Sequence, residues 1–191
     1  MTKTTAIALD RRRLLLSGAA LAAIGSLGFL SRGAHAAAPA TVAIENFSPA
    51  GKDLGLVHVP KVVKSEDTWK KQLDHEQFEV TRHADTEQSF TGATWNNHAD
   101  GLYRCICCET ALFDSRTKFE SGTGWPSFWQ PIAKRNVTEI KDTSLFMTRT
   151  AIACTRCDAH LGHVFDDGPK PTGLRYCMNS AAMHFVPRAS A

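Results

Sequence analysis

The sequence predicts a mainly β domain of the α+β kind, with a few helices at its N-terminal side and a four-cysteine zinc staple. Three observations carry this. From Ser89 onward, short apolar runs alternate with Gly, Pro, Asp and Asn. Ahead of them stand two short helix patterns. Two Cys-x-x-Cys pairs lie far apart in the second half of the chain.

The first 36 of the 191 residues read as a leader. Asp10-Arg11-Arg12-Arg13-Leu14-Leu15 has the form of a twin-arginine export signal, an apolar run follows from Leu14 to Leu30, and Ala34-His35-Ala36 is an A-x-A cleavage pattern. The run is short for a membrane span, which takes roughly 20 apolar residues, so a cleaved signal and a periplasmic destination are expected. An uncleaved leader would make a membrane anchor instead. The leader also accounts for the basic balance. The whole chain is formally +3, but residues 1–36 hold five cations against Asp10 alone, leaving 17 basic and 18 acidic groups beyond them. No phosphate-binding surface follows from that, so no nucleic-acid partner is expected.

Residues 37–64 carry Pro39, Pro49, Gly51, Gly55 and Pro60 without sustained periodicity and read as a flexible N-terminal arm. A helix is expected near Ser65, with Glu66 and Asp67 in its first turn and Trp69 and Leu73 on one face. A second is expected over His75–Arg82 with Phe78 inward. Strands are expected at Gly101–Cys105, Ala111–Phe113, Asn136–Ile140, Leu145–Thr150 and Met183–Val186. The main domain thus spans residues 65–188.

All six cysteines lie after residue 104. Cys105 and Cys108 form one knuckle, Cys154 and Cys157 the other. Two such turns complete a tetrahedral zinc shell with no open position, the pattern of one structural Zn2+. Two disulfides or a redox pair are the alternatives in an exported protein. Cys107 is left as a free thiol.

Cys177 stands apart, in Gly173-Leu174-Arg175-Tyr176-Cys177-Met178-Asn179-Ser180. On a strand, Arg175, Cys177 and Asn179 would share a face. The cation favours the thiolate, and the amide can orient a substrate. A small core residue with incidental neighbours is the plain alternative. His160 and His163, with Asp167 close by, can donate protons near neutral pH. Gly124-Trp125-Pro126-Ser127-Phe128-Trp129 offers either core plugs or an apolar slot for an S-methyl group.

These strings, with Ser121-Gly122-Thr123 ahead of the aromatic turn, together resemble the peptide-methionine (R)-S-oxide reductase family, methionine sulfoxide reductase B, over residues 65–187. The resemblance implies a zinc-bearing fold of two antiparallel sheets with peripheral helices. It implies an oxidoreductase that returns methionine (R)-S-oxide in proteins to methionine through a sulfenic acid on Cys177. His163 matches the acid; His160, Asp167 and Asn179 match groups that hold substrate or tune it; Arg175 matches the group beside the thiolate. Trp125 matches the ring that receives the methyl group, and Phe128 belongs to the same aromatic slot. Thioredoxin-like or other thiols would be the reductant, and a monomer is expected. Many members carry a cysteine where this chain has Thr123, so an internal disulfide is not expected unless Cys107 supplies it.

A zinc-ribbon binding module would explain the knuckles alone. A thiol–disulfide exchanger would need its Cys-x-x-Cys thiols free of metal.

Overall fold

The computed structural model describes residues 40–144 and 148–189. The expected leader, residues 1–36, lies outside them. Among the described residues no helix is long and apolar enough to cross a membrane.

The chain opens with an antiparallel hairpin of β1 (Thr41–Phe47) and β2 (Asp53–Pro60). A flexible arm was the expectation for this stretch, and it is overturned over residues 41–60. The residues that suggested an arm punctuate the hairpin. Pro49 and Gly51 sit in its turn, where Gly51 has φ +77° and its N–H bonds the Ser48 carbonyl at 2.9 Å. Pro60 ends the second strand. Asn136, fully buried, holds the hairpin down. Its Oδ1 accepts from Glu45 N–H at 2.8 Å, and its Nδ2 donates to the carbonyls of Glu45 (2.9 Å) and Ala111 (2.8 Å).

Helix α1 (Glu66–Gln72) begins at the N-cap Ser65, whose side chain accepts from Thr68 N–H. Helix α2 (His75–His83) starts from a capping box of Asp74 and Gln77 and stops where Ala84 turns left-handed at φ 58°. Acidic first turns and basic last turns suit the helix dipole in both. Trp69, Leu73, Phe78 and Val80 are buried and join the core, as the helix periodicity requires.

Two larger antiparallel sheets follow. One has three strands: β3 (Gly101–Cys105), flanked by β4 (Ala111–Asp114) and the C-terminal β11 (Met183–Pro187). The other has six, in the order β5-β6-β10-β9-β8-β7. These are β5 (Lys118–Phe119), β6 (Ser127–Phe128), β7 (Val137–Asp142), β8 (Arg149–Cys154), β9 (His160–Phe165) and β10 (Arg175–Met178). Two expected strands shift. Asn136 belongs to a 3-10 turn before β7, and the expected Leu145–Thr150 strand begins at Arg149, with Leu145–Met147 outside the described residues.

Between the sheets lies an aromatic core. Phe113 stacks on Phe128 with centroids 4.4 Å apart, and Tyr103 meets Phe128 edge-on at 4.9 Å. Phe128 is fully buried there, so it is a packing residue and not a ring facing a ligand.

Replacing Asn136 by Ala is expected to strip partners from three backbone groups. Each buried unsatisfied group costs about 1–3 kcal/mol, so denaturant unfolding should show a loss of at least about 2 kcal/mol. An unchanged midpoint would mean that the hairpin does not depend on this residue.

Candidate active site and metal centre

Both knuckles have one backbone design. Cys105 ends β3 and Cys154 ends β8. Each accepts at its carbonyl from the N–H four residues on, Glu109 and Asp158, at 2.9 Å. Those two residues take the left-handed conformation, at φ 64° and 57°. The turns bring Cys105, Cys108, Cys154 and Cys157 together with all four sulfurs within 4.8 Å of one another. Cys105 and Cys157 stand 3.6 Å apart, Cys108 and Cys154 3.5 Å. A disulfide needs about 2.0 Å, whereas tetrahedral metal–sulfur bonds of about 2.3 Å place thiolates roughly 3.8 Å apart. The donor set therefore fits a metal ion, and it clamps the three-stranded sheet to the six-stranded one.

The second constellation is built by register. On β8, β9 and β10 the residues Ala151, His163 and Cys177 are direct cross-strand partners, so their side chains stand in one row on one face. On β9, Gly162 adopts φ 151°, and a Cβ there would run into the Cys177 carbonyl. Only glycine lets the two strands approach in this way.

Above the row is a cavity of about 140 Å³ lined by Cys177, His163, Trp125, Phe165, Asn179 and Arg149, among others. It compares with the ~150 Å³ that accommodates benzene, so it takes a side-chain tip and not a folded peptide. Trp125 is held by its indole N–H, which donates to the Glu87 carbonyl at 3.1 Å. Asn179 falls just beyond β10 and opens a 3-10 turn. Its amide is occupied, accepting from Glu87 N–H at 3.1 Å and donating to the Leu161 carbonyl at 3.2 Å. The Glu87 carboxylate, itself buried, accepts from the N–H groups of Ser180 and Ala181 at 2.6 and 2.7 Å. One residue thus fixes both walls. Glu87 gave no signal in the sequence, because its role lies in backbone contacts made by a loop.

Burial pushes the Cys177 thiol above its ordinary value, against the opposing pull of the Thr123 hydroxyl, the Arg175 cation and the Ser127 hydroxyl. The expected thiolate is therefore not the resting form. Arg175 is shared with Asp167, through bonds of 2.8 Å from both Nε and Nη2, and lies 4.4 Å above the Phe165 ring. Asp167 is exposed, pairs with Arg175 and does not line the cavity.

The carboxylate on His163 is Asp142, at 2.7 Å from Nε2 to Oδ2, a partner the sequence reading missed. Its place at the end of a different strand gave no local spacing to read. Hydrogen bonds from Ser144, then from His163 and Arg149, hold the Asp142 carboxyl well below the usual carboxylate range. His160 has its ring centroid 5.3 Å from that of His163 and lines only the adjoining, larger cavity of about 620 Å³, which His163 and Arg149 also border. Burial, and the charge of His163 after it, pushes His160 down to about 4. It is neutral at physiological pH and so no proton donor there.

The Thr123 hydroxyl lies 3.8 Å from Cys177 Sγ and joins a chain through Ser121 to Ser127 at 2.8 and 2.7 Å. Cys107 is buried among Cys105, Cys157, Thr81 and Arg82, none of which touches Cys177.

Residues 73–187 match the family model described as SelR domain. Among curated proteins, the peptide methionine sulfoxide reductase MsrB of a Synechococcus species is 56% identical over 124 residues, covering 65% of this chain and 91% of that protein. The protein of the same name from Pseudomonas fluorescens is 56% identical over 128 residues, covering 67% of this chain and 98% of that protein. Another MsrB, from Hahella chejuensis, is 54% identical over 125 residues, 65% of this chain and 90% of that protein.

Since burial outweighs the neighbouring cation, alkylation of Cys177 in the resting protein, followed by mass spectrometry, should rise with a midpoint above that of an ordinary thiol. Arg175→Met should raise it further. A midpoint near neutrality would show that the cation dominates.

Proposed function

We propose that this chain, which belongs to the SelR domain family of MsrB proteins, reduces methionine (R)-S-oxide in oxidised proteins and peptides. The convergence of Cys177, His163 and Trp125 on one cavity of side-chain size carries this reading. The S-methyl group packs on the Trp125 indole, a contact worth about 0.3–1.5 kcal/mol. Cys177 attacks the sulfoxide sulfur while His163 protonates the oxygen, and the new Sγ–S bond then breaks, together with the S–O bond, as the hydroxyl moves onto Sγ. The oxygen passes from the substrate sulfur to Sγ: the methionine sulfur gains two electrons, Cys177 loses two, and a sulfenic acid remains. Arg175 favours the thiolate form, and Phe165 closes the cavity beside it.

With Thr123 next to Sγ and Cys107 in other company, the sulfenic acid is reduced by an external thiol of the thioredoxin-like or small-molecule kind. Cys105, Cys108, Cys154 and Cys157 hold one structural Zn2+, which supplies folding energy and no reaction step. The leader's arginine cluster supports export by the twin-arginine route, with zinc acquired before crossing, and with it protein repair in the bacterial envelope.

Cys177→Ser should abolish reduction of the R-epimer while zinc content and fold persist; retained activity would remove Cys177 from its role. In a single turnover of the wild type without reductant, thiol counting should show one thiol lost per methionine formed. Two lost would mean that a disulfide forms after all. Zinc should be stoichiometric, and stripping it with a strong chelator should lower the unfolding midpoint by roughly 10 °C or more. A metal-free protein of undiminished stability would overturn the structural ion.

A further inference from the structure

The half-buried thiol of Cys177 must lose a proton before it can attack, and the groups around His163 determine where that proton goes. Asp142 and Arg149 are cross-strand partners on β7 and β8. The Asp142 Oδ2 atom receives both Arg149 Nη2 at 2.8 Å and His163 Nε2 at 2.7 Å. Asp142 Oδ1 accepts from Ser144 N–H at 2.9 Å. All of these interactions favour the ionised carboxylate, so Asp142 is an acceptor only. A neutral imidazole bonded to it must carry its single proton on Nε2. Across the sheet, Cys177 is the register partner of His163, and both line the small cavity. Other ionisable groups near His163 include His160 on its own strand and Arg149 on β8, and Arg82, Asp85 and Lys141 also line the larger cavity that His163 borders. His160 is neutral and lines the larger cavity, and the arginine and lysine side chains do not release a proton near neutral pH.

We propose that Asp142 is a positioning residue that fixes neutral His163 as the Nε2–H tautomer, leaving Nδ1 to take the Cys177 proton and pass it to the sulfoxide oxygen. This rests on the reading of Cys177 as the attacking thiol. One proton serves both halves of the step. It leaves Sγ for Nδ1, forming an imidazolium whose charge Asp142 balances. It then moves from Nδ1 to the oxygen as that atom is transferred to Sγ. The histidine ends as it began, and the proton ends on the sulfenic acid. The larger cavity behind His163 is lined in part by Ala151 and Ala153, small side chains that leave Asp142 room to reach the ring from β7.

The test is the 15N spectrum of histidine-labelled, reduced, full-length protein, with the His163 signals identified by their loss in His163→Gln. At a pH where the ring is neutral, the wild type should show a protonated Nε2 and a bare Nδ1. Asp142→Ala should divide the ring between tautomers and slow single-turnover reduction about 100-fold, while Asp142→Glu restores most of the rate. A wild-type ring protonated on Nδ1 overturns the proposal, as does an Asp142→Ala rate within about threefold of wild type. Should Asp142→Ala fail to fold, the wild-type tautomer alone decides. The spectrum is read without substrate, so an active Cys177→Ser variant would defeat the reading of Cys177 while leaving the tautomer assignment standing.

Discussion

The register of three strands is the constraint on which the site depends. A strand shifted by one residue would turn every side chain to the opposite face, sending His163 or Cys177 into the core. The pairing of β9 with β10 is tight because Gly162 carries no side chain against the Cys177 carbonyl. The far ends of the same strands are anchored differently. β8 runs directly into Cys154, one corner of the four-cysteine cluster, and the partner knuckle hangs from β3. The clamp therefore does more than join two sheets. It fixes the end of a strand that also carries Ala151 and Arg149 to the edge of the reacting row.

Much of this was legible in the sequence. The Cys-x-x-Cys spacing located the four-cysteine cluster, the first helix starts from its cap at Ser65 and the second at His75 as expected, and the strand supposed around Cys177 is β10. The hairpin was misread because Pro and Gly were weighed as breakers of a segment whose turn and strand end they actually occupy. Phe128 was misplaced for a related reason. An aromatic turn supplies both core and cavity rings: Phe128, on β6, is in the core, and Trp125, in the turn before β6, lines the cavity.

The charged partners were the least legible part. Sequence proximity joined Asp167 to the histidines, but Asp167 lies just past the end of β9 and pairs with Arg175 at the start of its antiparallel neighbour β10. Asp142, opposite Arg149 on β8, reaches His163 diagonally past Ala151, which stands opposite His163. Pairings of this kind belong to the sheet and have no one-dimensional spacing. The same holds for the state of Cys177: a cation two residues away suggests a thiolate, yet burial of the sulfur is the larger effect and only the folded surroundings report it.

Glu87 joins two parts of the cavity that come from opposite halves of the domain. Its main chain carries the indole of Trp125 and the amide of Asn179, and its carboxylate seats the turn that follows Cys177. The indole wall, the amide and the turn after Cys177 thereby hang on a single residue, through its main chain on one side and its carboxylate on the other. A displacement of Glu87 would therefore disturb the seat of Trp125 and the end of β10 together.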